Sequence, residues 1–94
     1  MAKTPHEIGY VYILQSNLNN RYYIGSTIDI EKRYSNHKNG FVKSTRNLRP
    51  LELKFFKKYD DIKTARQIEY KLKKMKSKNI IDKIIAEQDI SLTL

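Results

Sequence analysis

The chain is predicted to form a small α+β domain, a small antiparallel sheet with helices on its faces in the order ββαβαα. Three observations predict it. Residues 9–15 (GYVYILQ) and 21–26 (RYYIGS) are runs of aromatic and β-branched types around an asparagine-rich turn. A further short run, 51–58 (LELKFFKK), follows Pro50. The last third of the chain carries apolar residues at helical spacing.

Each element has its own signal. In the first strand Tyr10, Tyr12 and Leu14 share one face and Val11 and Ile13 the other, so a strand covered on both sides is expected. Ser16-Asn17-Leu18-Asn19-Asn20 is the turn, because asparagine tolerates left-handed backbone and bonds locally. On the returning strand Tyr23 and Gly25 face one way, Tyr22 and Ile24 the other. Asp29 is an N-cap for a helix over 29–39, with Ile30 and Tyr34 as its inward edge and Asn39-Gly40 as its end. Residues 41–50 form a basic loop, and Leu51, Leu53 and Phe55 alternate in the third strand. Asp60-Asp61 opens a second helix over 62–76, and Ser77 caps a third over 78–87, where Ile80, Ile81, Ile84 and Ile85 pack inward. Residues 1–8 and 88–94 are expected as tails around a single domain, 9–87.

Composition narrows the function. Nineteen Lys and Arg against ten Asp and Glu leave a net charge of +9, which favours a polyanionic partner such as DNA or RNA. No apolar run reaches the ~20 residues that a spanning helix needs, so no membrane role is expected. The opening MAKTPHEIGY has no apolar segment of the secretory type, and the absence of cysteine excludes disulfides and thiolate chemistry. A cytoplasmic location is expected.

The most informative candidate is Glu69. It falls within the stripe formed by Ile62, Ala65, Ile68, Leu72 and Met75. A carboxylate there needs a cation, because burial without a partner costs several kcal/mol. Two readings stand: an edge glutamate that snorkels out to solvent or pairs with Lys73, or a ligand for a divalent metal. Tyr12 and Tyr23 would bring their hydroxyls together if the hairpin aligns them, with Arg33 and Lys32 supplying positive charge; the alternative is simple packing. Arg33 and His37 lie one helical turn apart, the first suited to a phosphate and the second to proton transfer; otherwise they are an exposed surface pair. Lys43, Thr45, Arg46 and Arg49 are either phosphate-backbone contacts or an ordinary solvated loop. The lysines of the second helix are expected on a solvated face. Tyrosine, histidine, arginine and one placed carboxylate are the materials for single-metal phosphodiester hydrolysis.

Tyr10-Val11-Tyr12, then Tyr23-Ile24-Gly25, then Arg33, His37 and the later Glu69 resemble the GIY-YIG nuclease superfamily over about residues 9–86. Ser44-Thr45-Arg46, Arg49-Pro50 and Glu69-x-x-Leu72-Lys73 look most like its small stand-alone bacterial group, the UPF0213 or excinuclease-subunit-C-like endonucleases. The resemblance implies a three-stranded antiparallel sheet flanked by helices. It implies Tyr12 as general base or activator of the water, Tyr23 as a positioning group and Gly25 as a point where backbone passes close to the site. It further implies Arg33 on the scissile phosphate, His37 in proton transfer, and Glu69 as ligand of one divalent cation, Mg2+ or Mn2+. Two departures stand out: Tyr10 occupies the place of the motif's first glycine, and Ser26 a place where some branches carry lysine.

The expectation is a metal-dependent endonuclease acting on DNA, branched or single-stranded or with weak sequence preference, in repair or processing. RNA stays an open alternative, as does a protein partner. The rival readings are a non-catalytic nucleic-acid-binding module and a structural adaptor.

Overall fold

A computed structural model describes residues 7–90; the expected tail residues 1–6 and 91–94 lie outside the described residues. Six principal elements follow in the expected order: β1 (Gly9–Ser16), β2 (Tyr22–Thr27), α1 (Ile30–Lys38), β3 (Leu51–Tyr59), α2 (Ile62–Met75) and α3 (Lys78–Glu87). A 3₁₀ turn over Arg46–Leu48 interrupts the basic loop. The three strands form one antiparallel sheet in the order β2-β1-β3.

Capping explains why the helices begin where they do. Asp29 accepts from the Lys32 N–H at 3.1 Å, Asp61 from Lys63 at 2.7 Å, and the Ser77 hydroxyl from Ile80 at 3.2 Å. The hairpin turn is held by Ser16, whose hydroxyl accepts from Leu18 N–H at 3.1 Å and donates to the Leu48 carbonyl at 2.6 Å. Asn20 takes the left-handed backbone that its position requires.

The sheet separates two cores. Val11, Ile13 and Phe55 pack against Ala65, Ile68 and Leu72 of α2 and Ile81 and Ile84 of α3. Tyr12, Leu14 and Leu51 pack on the opposite face with Ile30 and Tyr34 of α1. The central strand β1 is therefore covered on both sides, as its bulk on both faces requires.

The third strand differs from a single alternating face. Ile13 pairs with Phe55 but Leu14 pairs with Leu53, which leaves Lys54 as an extra, bulged residue. The bulge turns the strand over. Leu51 and Leu53 serve the α1 side, whereas Phe55 serves the α2–α3 side. Phe56 is then placed on the face of Tyr10, its ring edge-on at 6.2 Å.

The chain ends of the described region are also tied in. The Ile62 N–H donates to the Glu7 carbonyl at 2.8 Å. Beyond α3, Lys57 pairs with Asp89 at 2.7 Å and Ile90 is buried in the α2–α3 core, so residues 88–90 pack rather than trail.

The bulge sets opposite fates for adjacent phenylalanines. Phe55 is 3% exposed and Phe56 51%. Phe55→Ala should cost about 3–5 kcal/mol and Phe56→Ala about 0.5 kcal/mol, measured by urea denaturation. Equal costs would contradict the register.

Candidate active site

The register Tyr12↔Gly25 and Leu14↔Tyr23 puts Tyr12 and Tyr23 on one face of the hairpin, as the two-residue period predicts. Gly25 lies directly beside the Tyr12 ring, and a Cβ on Gly25 would collide with the tyrosine's hydroxyl end. The missing side chain lets the Tyr12 phenol lie across β2 toward α1.

There the Tyr12 hydroxyl meets two groups from α1. It is 2.9 Å from His37 Nε2, and Arg33 Nε donates to it at 3.3 Å. His37 Nδ1 is 2.7 Å from the Thr45 hydroxyl. The Tyr23 ring stands edge-on to the imidazole at 5.2 Å. Four of the expected residues, Tyr12, Tyr23, Arg33 and His37, thus share one cluster.

Burial corrects the expected setting of His37 and of Thr45. The alternative of an exposed surface pair fails for His37, which is 0% exposed. Its pKa falls to about 4, because burial disfavours the imidazolium and the Arg33 charge adds to that. The ring is neutral at neutral pH, with one nitrogen donating and the other accepting. Thr45 is likewise fully buried, so it cannot be the phosphate contact expected of the loop. It fixes the far side of the histidine instead, and no spacing rule links a threonine eight residues on to that role.

Charge in the cluster is mutually tuned. Burial raises the Tyr12 pKa, and Arg33 opposes this by hydrogen bond and by charge. The bond to Tyr12 in turn raises the Arg33 pKa, with Tyr23 contributing. Arg33 carries five N–H donors, so the two tyrosines leave part of its fork for an anion.

Glu69 approaches from the other side of the sheet. It is half-buried at the edge of the α2 stripe, where one carboxylate oxygen accepts from the Ser26 hydroxyl and the other pairs with Lys73 at 2.6 Å. Its negative charge reaches Tyr12 and raises that pKa further. Only the edge strand β2 lies between them, at Gly25-Ser26. Both readings of Glu69 therefore rest on one arrangement: it is paired with Lys73, and it stands at the rim of the tyrosine cluster. Ser26, named in the sequence only as a departure, is its second partner. The remaining expected contacts, Lys32, Lys43, Arg46 and Arg49, are exposed. Arg46 donates to the Gly40 carbonyl at 3.1 Å and Arg49 to the Arg46 carbonyl at 3.0 Å, which orders the loop beside α1.

The chain matches the model of the GIY-YIG catalytic domain over residues 8–82. The chain belongs to the GIY-YIG family. It is 32% identical to a UPF0213 protein of Listeria welshimeri over 92 residues, 97% of this chain and 99% of that protein. A UPF0213 protein of Clostridium perfringens is 36% identical over 69 residues, 72% of this chain and 73% of the relative. An uncharacterized protein of Invertebrate iridescent virus 6 is 54% identical over 33 residues; the match spans 34% of this chain but only 12% of the viral protein. No solved structure matches the chain significantly. The GIY-YIG family is a nuclease family, and the match to the Listeria UPF0213 protein spans nearly the whole of both chains. Among the described residues no helix is long and apolar enough to cross a membrane.

The buried histidine has a consequence for stability. Its folded pKa, about 4, lies below the ordinary 6.5, so the unfolded chain binds more protons between these values. The stability held at neutral pH should be lost as pH falls from 6.5 toward 4. The loss amounts to on the order of 3 kcal/mol. Denaturation of the parent and of His37→Gln across this range should show the parent losing more stability than the variant.

Proposed function

We propose that this GIY-YIG protein is a divalent-metal-dependent endonuclease that hydrolyses phosphodiester bonds of DNA in the cytoplasm. The observation that carries the reading is the Tyr12 hydroxyl, held between a neutral imidazole and a guanidinium on the face that Tyr23 shares. That arrangement joins a proton path to an anion contact at one oxygen.

The direction of the proton depends on the tautomer. In the tautomer protonated at Nδ1, that N–H donates to Thr45 and Nε2 accepts from Tyr12. As the tyrosine oxygen takes a proton from an attacking water, its own proton passes to His37. The imidazolium so formed is disfavoured by burial and by Arg33. A phosphate on Arg33 offsets the second of these, so proton transfer becomes easier once substrate is in place. Arg33 meanwhile binds the scissile phosphate and opposes the charge that develops on it. Tyr23 lines the same face and positions the water.

Glu69 is the residue that would hold a metal. It offers a hard carboxylate oxygen, and Lys73 already marks that oxygen as a cation position. Among the described residues no group of three or more His, Cys, Asp or Glu surrounds it. A single hard carboxylate is a donor that would suit an ion of the Mg2+ or Mn2+ type. Such an ion would supply Lewis-acid stabilisation of the charge on the phosphate. Exposed Lys32, Lys43, Arg46 and Arg49 would track the flanking phosphate backbone. Repair or processing of branched or single-stranded DNA is the role proposed for it.

The Glu69–Lys73 pair favours a second reading, a nucleic-acid-binding module without cleavage. The two separate in one assay. Branched, single-stranded and plasmid DNA are incubated with the protein, with and without Mg2+ or Mn2+. Cleavage is expected only with the cation. Tyr12→Phe and Arg33→Ala should each lower the rate by about 10²-fold or more. Glu69→Ala should abolish the metal response. Absence of cutting, or variants as active as the parent, would sink the nuclease reading; salt-dependent binding that survives Glu69→Ala would favour the module.

The collision at Gly25 yields a further expectation. Gly25→Ala should displace the Tyr12 hydroxyl and reduce cleavage about as far as Tyr12→Phe does, while circular dichroism shows the fold retained. Full activity in that variant would contradict the close approach.

A further inference from the structure

A second feature adjoins the tyrosine cluster. Along the open edge of β2, between the hairpin turn and the junction of α2 with α3, runs a cleft of about 770 Å³. That is within the ~300–1,000 Å³ of ligand-sized sites. Its floor is apolar, with Leu72 and Ile81 among the lining residues. Tyr22 and Tyr23 form part of its wall, and four cations line it: Arg21, Lys73, Lys76 and Lys78. Lys73 and Lys78 stand over the two tyrosine rings, at 5.8 Å from Tyr23 and 5.6 Å from Tyr22.

The charges in this cleft are unbalanced. Lys73 pairs with Glu69, and Lys78 with Asp82 at 3.1 Å. Arg21 and Lys76 are exposed and have no carboxylate partner among the described residues. The cleft is also continuous with the site, because Tyr23 contacts His37 and Lys73 contacts Glu69.

We propose that this cleft holds an unpaired stretch of the substrate strand beside the scissile phosphate. The inference rests on the nuclease reading and names the form of its substrate. Cations at the rim match phosphates. Tyrosine walls and an apolar floor match the faces of bases, which are available only when the bases are unpaired. A duplex presents its sugar-phosphate backbone outward and leaves such a floor unused. The occupant is a single strand of DNA, the polymer that the proposed endonuclease cleaves.

The test is binding, measured in EDTA so that no cutting intervenes. Fluorescence anisotropy follows a dye-labelled single-stranded deoxyoligonucleotide, its ribo counterpart and the duplex, over a range of salt. Arg21→Glu/Lys76→Glu is compared with the parent and with Lys63→Glu/Lys83→Glu, a pair of exposed lysines elsewhere with the same change in charge. Thermal melts establish that all three are folded. The cleft pair should weaken single-strand binding about tenfold and make the salt slope shallower by about 1.4, two lost phosphate contacts. Duplex binding and the control pair should change less. The deoxyoligonucleotide should bind at least as tightly as its ribo counterpart, and a clear preference for the ribo strand would overturn the assignment of the cleft to DNA. If the cleft pair lowers affinity no more than the control pair, or lowers duplex and single-strand affinity equally, the inference is overturned while cleavage by the parent stands. A parent that shows the cleft-dependent affinity yet cuts nothing with any divalent cation supports the cleft and overturns the nuclease reading.

Discussion

A buried chain of three polar groups, Tyr12, His37 and Thr45, holds the site together. It joins the central strand, the first helix and the basic loop. Each member is close to completely buried, and among the described residues no buried side-chain nitrogen or oxygen lacks a partner. That completeness matters energetically, since a buried polar group left unpaired costs about 1–3 kcal/mol. The chain therefore positions the phenol, while burial and the nearby Arg33 charge keep the histidine neutral.

The sheet makes this possible by being covered unevenly. One face packs a broad apolar core against α2 and α3, and the other packs a smaller one against α1. The bulge at Lys54 lets a single strand contribute to both. Gly25 then opens β2 where the phenol must cross it, and the same edge strand carries Ser26 to Glu69 on the opposite side. The site is assembled around an edge rather than on a face, which is how a helix on the far layer reaches chemistry on the near one.

Much of this was legible in the chain. Tyrosine and β-branched runs marked the hairpin, and Asp29, Asp61 and Ser77 marked the helix starts, because caps and strand periods depend on neighbouring residues only. Glu69 stood out for the same reason: a carboxylate in an apolar stripe is visible by periodicity alone. Thr45 and the bulge were not visible. A threonine in a basic loop looks like a solvent contact until the loop folds against a histidine, and an alternating strand looks regular until its partner's register is known.

What the sequence by itself determined is the set of elements, their order, the strand faces of Tyr12 and Tyr23, and the family motif residues. These follow from local backbone preference and from side-chain period. What only the tertiary structure decided is the state of the groups: a neutral histidine with a pKa of about 4, a threonine serving it, and a glutamate shared by Ser26 and Lys73. Those depend on burial and on charges brought near from distant parts of the chain, and desolvation is a property of the packed molecule rather than of any residue's neighbours in sequence.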